Sequence, residues 1–208
     1  MKVLLINGSP NKEGCTFTAL SEVAGSLNAE GIDTEIYHIG KKAIHGCAAC
    51  WGCMKLGKCV FNDDGVNELA ARLDEFDGFI IGAPVYYAGA AGSICAFLDR
   101  LFFSGDDNKF FDKPGACVVS CRRGGASAAF DRLNKYFTIK NMPIVSSQYW
   151  NQVHGNSPEE VKQDLEGMQT MRTLGKNMAW LLKSIEAGRK AGVKTPELEE
   201  TQYTNFIR

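Results

Sequence analysis

Four cysteines fall within thirteen residues, as Cys47-x2-Cys50-x2-Cys53-x5-Cys59. Thiolates are soft ligands, and three of them in seven residues can wrap a compact metal cluster that the fourth closes. Tight runs of this kind hold iron–sulfur clusters, whereas structural zinc usually takes two cysteine pairs set further apart. Spacing alone leaves three uses open: an iron–sulfur cluster, a zinc site, or thiol–disulfide redox without metal. Gly52 and Gly57 let the loop curl, Trp51 is placed to shield it from water, and His45 is near enough to contact it. Cys59 is followed by Val60, not by the proline of ferredoxin-type runs. Cys95 and Cys117 read as core residues, and Cys121 stays open between core and site. His38 and His154 show no ligand spacing and receive no role.

Three further stretches suit a phosphorylated aromatic ligand. Gly8 to Thr18 follows an apolar run and opens a helix; backbone N–H groups, Asn11 and the hydroxyls of Ser9, Thr16 and Thr18 can cradle a phosphate there. Neither the lysine of a triphosphate loop nor Gly-x-Gly-x-x-Gly is present in this stretch, which points to a monophosphate. Pro84-Val85-Tyr86-Tyr87-Ala88-Gly89 puts two tyrosines at a strand end, where they can border a flat ring. Ser120-Cys121-Arg122-Arg123-Gly124-Gly125 offers free backbone N–H groups and guanidinium charge at a ring edge. Each stretch alone also reads as an ordinary turn.

The elements that must position these residues alternate. Strands are expected at 2–7, 33–38, 78–83 (stopped by Pro84), 115–121 and 142–149. Helices are expected at 16–30, 63–76 (capped by Asp63-Asp64), 90–103, 126–137 and 158–190. Residues 39–62 form an irregular cysteine-rich loop. Alternation of this kind predicts a five-stranded parallel sheet with helices on both faces, doubly wound, with ligands beyond the carboxyl ends of its strands.

The chain has 208 residues, 45% hydrophobic and 23% charged, with net charge −1. That suits one domain over 1–208, including a C-terminal helix and tail over 158–208. No basic block suits nucleic acid and no apolar run is long enough for a membrane span. Eight cysteines with a metal-like cluster fit a cytoplasmic rather than a disulfide-stapled chain. The apolar pair Phe206-Ile207 in a polar tail suggests docking on the body or on a neighbouring subunit.

Gly8-Ser9-Pro10, Gly82-Ala83-Pro84-Val85-Tyr86-Tyr87, Ala96-Phe97-Leu98-Asp99-Arg100 and the Arg122-Arg123-Gly124-Gly125 stretch resemble the NAD(P)H-dependent FMN reductase group of flavodoxin-like proteins. The cysteine motif resembles that of its iron–sulfur flavoprotein branch. The resemblance implies FMN, with its phosphate at residues 9–18, Cys15 included, and its ring near 84–89 and 120–125. Cys15 departs from the polar residue expected in that loop. A [4Fe–4S] cluster on Cys47, Cys50, Cys53 and Cys59 is implied as well, passing electrons to FMN across a subunit interface. The donor would be NAD(P)H or ferredoxin, the acceptor a small molecule or protein, and the assembly a homodimer or homotetramer. Two other classes remain: a non-enzymatic electron carrier, and a zinc-stabilised binding module.

Overall fold

Residues 1–206 are described by a computed structural model. Its first strand, β1 (Lys2–Asn7), shows why the sheet must be covered on both sides. Leu4 and Ile6 are buried in one core and Val3 and Leu5 in another. Burying each such side chain stabilises the fold by about 1.5–3 kcal/mol. Helix α1 (Cys15–Ala29) presents Ala19, Leu20, Val23 and Leu27 to the second core and stops before Gly31, whose φ of 78° is a helix-ending conformation.

Then follow β2 (Asp33–His38), the short helices α2 (Gly52–Leu56) and α3 (Val66–Ala71), β3 (Gly78–Tyr86), β4 (Gly89–Ala90), α4 (Gly92–Ser104), β5 (Gly115–Cys121), α5 (Ala126–Ile139), β6 (Gln152–His154), α6 (Pro158–Gln163) and α7 (Leu165–Lys190). The order β2-β1-β3-β5-β6 is parallel throughout, and β4 pairs antiparallel with β3. Helices α3, α4 and α5 cover one face, α1 and α7 the other. The doubly wound flavodoxin-like class is therefore as expected, with a sixth, two-residue strand added. Its strand order reverses at β1 and β3, so the crevice between their carboxyl ends is the natural ligand position.

Four boundaries differ from the sequence reading. Pro84 does not stop β3: it stays in register with Ser120, and its carbonyl accepts the Ala91 N–H at 3.1 Å. The last parallel strand is 152–154, not 142–149; residues 142–149 contribute only a single bridge, Ile144 to Gly115. Asp63-Asp64 caps no helix, because Gly65 holds that position and the Asp64 side chain turns inward to Arg100. The C-terminal helix is broken at Asp164, whose carboxylate accepts the Gly167 N–H and caps α7 afresh. Phe206 is exposed, and Ile207, the other half of the expected tail contact, lies outside the described residues.

Candidate functional site

The three strand-end stretches interlock. Gly8 N–H donates to the Gly82 carbonyl at 2.8 Å, tying the β1 loop to β3. A Cβ at Gly8 would sit 2.7 Å from Ile94 and 2.8 Å from the Gly82 carbonyl oxygen, so only glycine allows that approach. Gly125, at φ 94°, lies so close to the β3–β4 turn that a Cβ there would meet the Ala88 Cα at 2.5 Å. The hydroxyls of Thr16 and Ser120 share a buried hydrogen bond of 2.8 Å, joining α1 to the end of β5.

Within the first loop, buried Asn7 accepts the Ser9 N–H and donates to the Lys12 carbonyl, and Ser9 Oγ accepts the Asn11 N–H. His38 Nε2 donates to the Ser9 carbonyl at 2.8 Å from the end of β2. The Thr18 hydroxyl donates to Gly14 within its own helix, and the Cys15 thiol faces the Gly155 carbonyl at 3.8 Å. Helix α1 has no side-chain cap and no acidic residue in its first turn. Its first N–H groups are thus left to an external acceptor at the crevice between β1 and β3, a setting that favours an anion.

The tyrosines occupy a tight hairpin. Tyr87 and Ala88 have φ of 50° and 60° between the paired residues Tyr86 and Gly89. Two left-handed residues in a two-residue hairpin are ordinarily asparagine or glycine, so this turn stores strain. Tyr86 is half-exposed and Tyr87 is fully exposed at 107%. Pro84, Val85 and Gly89 lie half-buried beneath them, and Arg122, Arg123 and Gly124 are exposed on the neighbouring loop. Burial pushes the Cys121 thiol up, with the nearby backbone of Arg123 and Ala126 acting against it; His154 Nδ1 lies 3.4 Å away.

The cysteine loop is built differently. Cys47, Cys50, Cys53 and Cys59 border one small cleft of about 20 Å³, closed by Trp51, Val60, Phe61, Arg100 and Phe103. Ala49 and Trp51 adopt left-handed backbone, with φ of 49° and 57°. Trp51 rests edge-on against Phe103 at 5.6 Å but stays 63% exposed. Asn67 fastens the end of the loop: its side chain accepts the Cys59 N–H and donates to the carbonyls of Cys59 and Phe61.

Beneath the loop lies Arg100, 1% exposed. Its Nε donates to Cys59 Sγ at 3.1 Å, Nη2 to the Phe61 carbonyl at 2.9 Å, and Nη1 to the His45 carbonyl and to the Asp64 carboxylate. Burial works against its charge, but the bonds to Asp64 and Cys59 outweigh it and raise its pKa. His45 contributes its backbone, while its ring stacks on Phe61 at 3.8 Å. Among the described residues no three His, Cys, Asp or Glu side chains are placed to hold a single metal ion. The donor set is four thiols without carboxylate or imidazole, bordering a common cleft, and its chemistry fits a thiolate-bound iron–sulfur cluster as well as a four-cysteine zinc ion. Cys117 is buried as expected and its thiol is pushed up by burial, whereas Cys95 is only half-buried.

Sequence reasoning missed Arg100, Asp64, Asn67, His38 and His154. Arg100 stood in a quoted stretch without a role, and a lone histidine or asparagine carries no spacing that would single it out.

The comparisons with known proteins bear on the family and the fold. The sequence profile of a family described as NADPH-dependent FMN reductase matches residues 1–156. An iron-sulfur flavoprotein of Methanocaldococcus jannaschii is 32% identical over 193 residues, covering 89% of this chain and 100% of that protein. One from Methanosarcina thermophila is 29% identical over 196 residues, covering 91% and 99%. Among solved structures, RosB with a bound riboflavin-phosphate intermediate superposes with TM-score 0.70 at 15% identity, over 100% of this chain and 92% of that one. A flavodoxin from the domain Archaea gives 0.60 at 14% identity, over 88% and 99%. At these identities the two structures speak for the fold alone. No helix among the described residues is long and apolar enough to cross a membrane.

Proposed function

The chain belongs to the NADPH-dependent FMN reductase family of flavodoxin-like oxidoreductases, and from that premise we propose that it binds FMN at the carboxyl ends of β1, β3 and β5 and moves electrons from a reduced donor to a small-molecule or protein acceptor. The observation that carries this reading is the uncapped N-terminus of α1 at the switch point of the sheet, flanked by the interlocked β3 and β5 loops. When bound, FMN supplies the hydride and one-electron chemistry. The protein's part is placement. Ser9, Asn11, Cys15, Thr16 and Thr18 form the loop assigned to the phosphate, mainly through backbone N–H groups, since the Thr16 and Thr18 hydroxyls already have partners. Pro84, Val85, Tyr86, Tyr87, Ala88 and Gly89 are the ring wall. Ser120, Arg122, Arg123, Gly124 and Gly125 are the ring edge, where exposed guanidinium charge favours an electron-rich ring or an anionic donor.

Cys47, Cys50, Cys53 and Cys59 are assigned to a [4Fe–4S] cluster. The name iron-sulfur flavoprotein carried by relatives across most of the chain supports this, as does the all-thiol cleft. Exposed Trp51, Met54 and Leu56 beside the cleft support an assembly of two or four copies that places this loop at a subunit contact.

The test is anaerobic mixing of the flavin-loaded protein with NADPH, NADH or a reduced ferredoxin, followed by flavin absorbance, then with a quinone as acceptor. Bleaching by a nicotinamide donor and turnover with the quinone support an enzyme. Bleaching by the protein donor alone, without quinone turnover, makes it an electron carrier. No flavin retained, even after FMN is added, ends the reading.

A further inference from the structure

Arg100 has the strongest claim to a role that the flavin site does not absorb. It is among the largest fully buried side chains, it carries a charge, and it reaches Cys59 Sγ with a directed N–H at 3.1 Å. A buried ion pair is weak evidence for stability, because desolvation cancels most of the attraction. The pair is also asymmetric. Arg100 stands between Asp64 and the cysteine cleft, so its guanidinium meets a ligand sulfur while the carboxylate it neutralises lies on its other side. Three of its donors also hold the carbonyls of His45 and Phe61 and the Asp64 carboxylate, which fixes the plane of the fork.

We propose that Arg100 is a positioning residue that sets the reduction potential of the group held by the four cysteines, through its charge and its Nε–H bond to Cys59 Sγ, with Asp64 fixing its orientation. This rests on the cluster reading given above. Adding an electron adds negative charge to a cage of four thiolates. A fixed cation and an N–H donor on one sulfur favour the reduced form, since cluster potentials follow net charge, hydrogen bonds to sulfur and exposure. Lys cannot reproduce the fork, but it keeps the charge.

The experiment is an anaerobic redox titration, followed by electron paramagnetic resonance, of the cluster in wild type, R100K and R100Q, with iron and sulfide measured on each sample. R100Q is expected to lower the potential by about 59 mV or more, a tenfold shift in a one-electron equilibrium. R100K should recover most of that shift. If R100Q fails to fold because Asp64 is left unpaired, the double variant R100Q/D64N removes both charges and still takes the N–H donor from Cys59. It should likewise shift the potential downward. Wild type and variants with equal cluster content and equal potentials overturn the inference and leave the cluster reading intact. Wild type without iron or sulfide after anaerobic reconstitution overturns the cluster reading itself, and the role of Arg100 falls with it.

Discussion

The β1 loop and the cysteine loop sit on one scaffold but are held by different forces. Around Gly8 to Thr18 the backbone is fixed by neighbouring strands, by close glycine contacts and by buried Asn7 and Thr16. Around Cys47 to Cys59 the chain is largely exposed, and two side chains from elsewhere, Arg100 and Asn67, do most of the fastening. One region follows from the topology of the sheet; the other depends on a few long-range polar contacts. The first region is held firmly by its neighbours, and the second has few buried contacts to hold it.

Substitutions can break or sharpen that contrast. The largest effect is expected from Asp64→Ala, which leaves Arg100 buried and unpaired. A loss of about 3–5 kcal/mol should appear as a lower urea midpoint, together with loss of iron on reconstitution. If the cysteine loop stays cluster-competent in that variant, its dependence on the ion pair is wrong. Next comes Gly8→Ala, which crowds Ile94 and the Gly82 carbonyl. About 1–3 kcal/mol of stability should be lost, with weaker FMN binding by fluorescence titration and unchanged iron content.

Asn67→Ala should cost about 1–2 kcal/mol by thermal melting, because it releases the backbone at Cys59 and Phe61. Here the contrast reverses: iron retention falls while FMN affinity holds. The smallest effect is a control outside both regions. The Arg72 guanidinium and the Lys2 ammonium hold the Glu35 carboxyl below its usual value. A lowered folded-state pKa stabilises the protein above the unfolded value of about 4.3 and loses that contribution as pH falls through the folded value. Glu35→Gln should therefore cost less than about 1 kcal/mol at neutral pH, and its melting temperature should converge on wild type in acid.

The same contrast explains what could be read from the sequence. The β1 loop was legible because its parts are contiguous: an apolar run, then Gly8-Ser9, then a helix start. The cysteine motif was legible for the same reason. Their support was not, because Asp64 and Arg100 are 36 positions apart and Asp64 imitates a helix cap. The final strand was misplaced because β6 buries only Val153 between two polar residues, whereas 142–149 holds the more apolar Met142, Ile144 and Val145. The break at Asp164 was hidden inside an otherwise helical pattern; only its side-chain bonds to Gly167 and His154 reveal it. The hairpin at Tyr87-Ala88 was not foreseen either, since neither residue favours the left-handed conformation that it adopts.

The most direct test of the whole account is the stoichiometry of FMN, iron and acid-labile sulfide per chain in protein purified without oxygen. The account predicts about one FMN with about four iron and four sulfide, and a broad absorbance near about 400 nm beneath the flavin bands. Protein that holds neither flavin nor iron, and takes up neither when they are supplied, would contradict it.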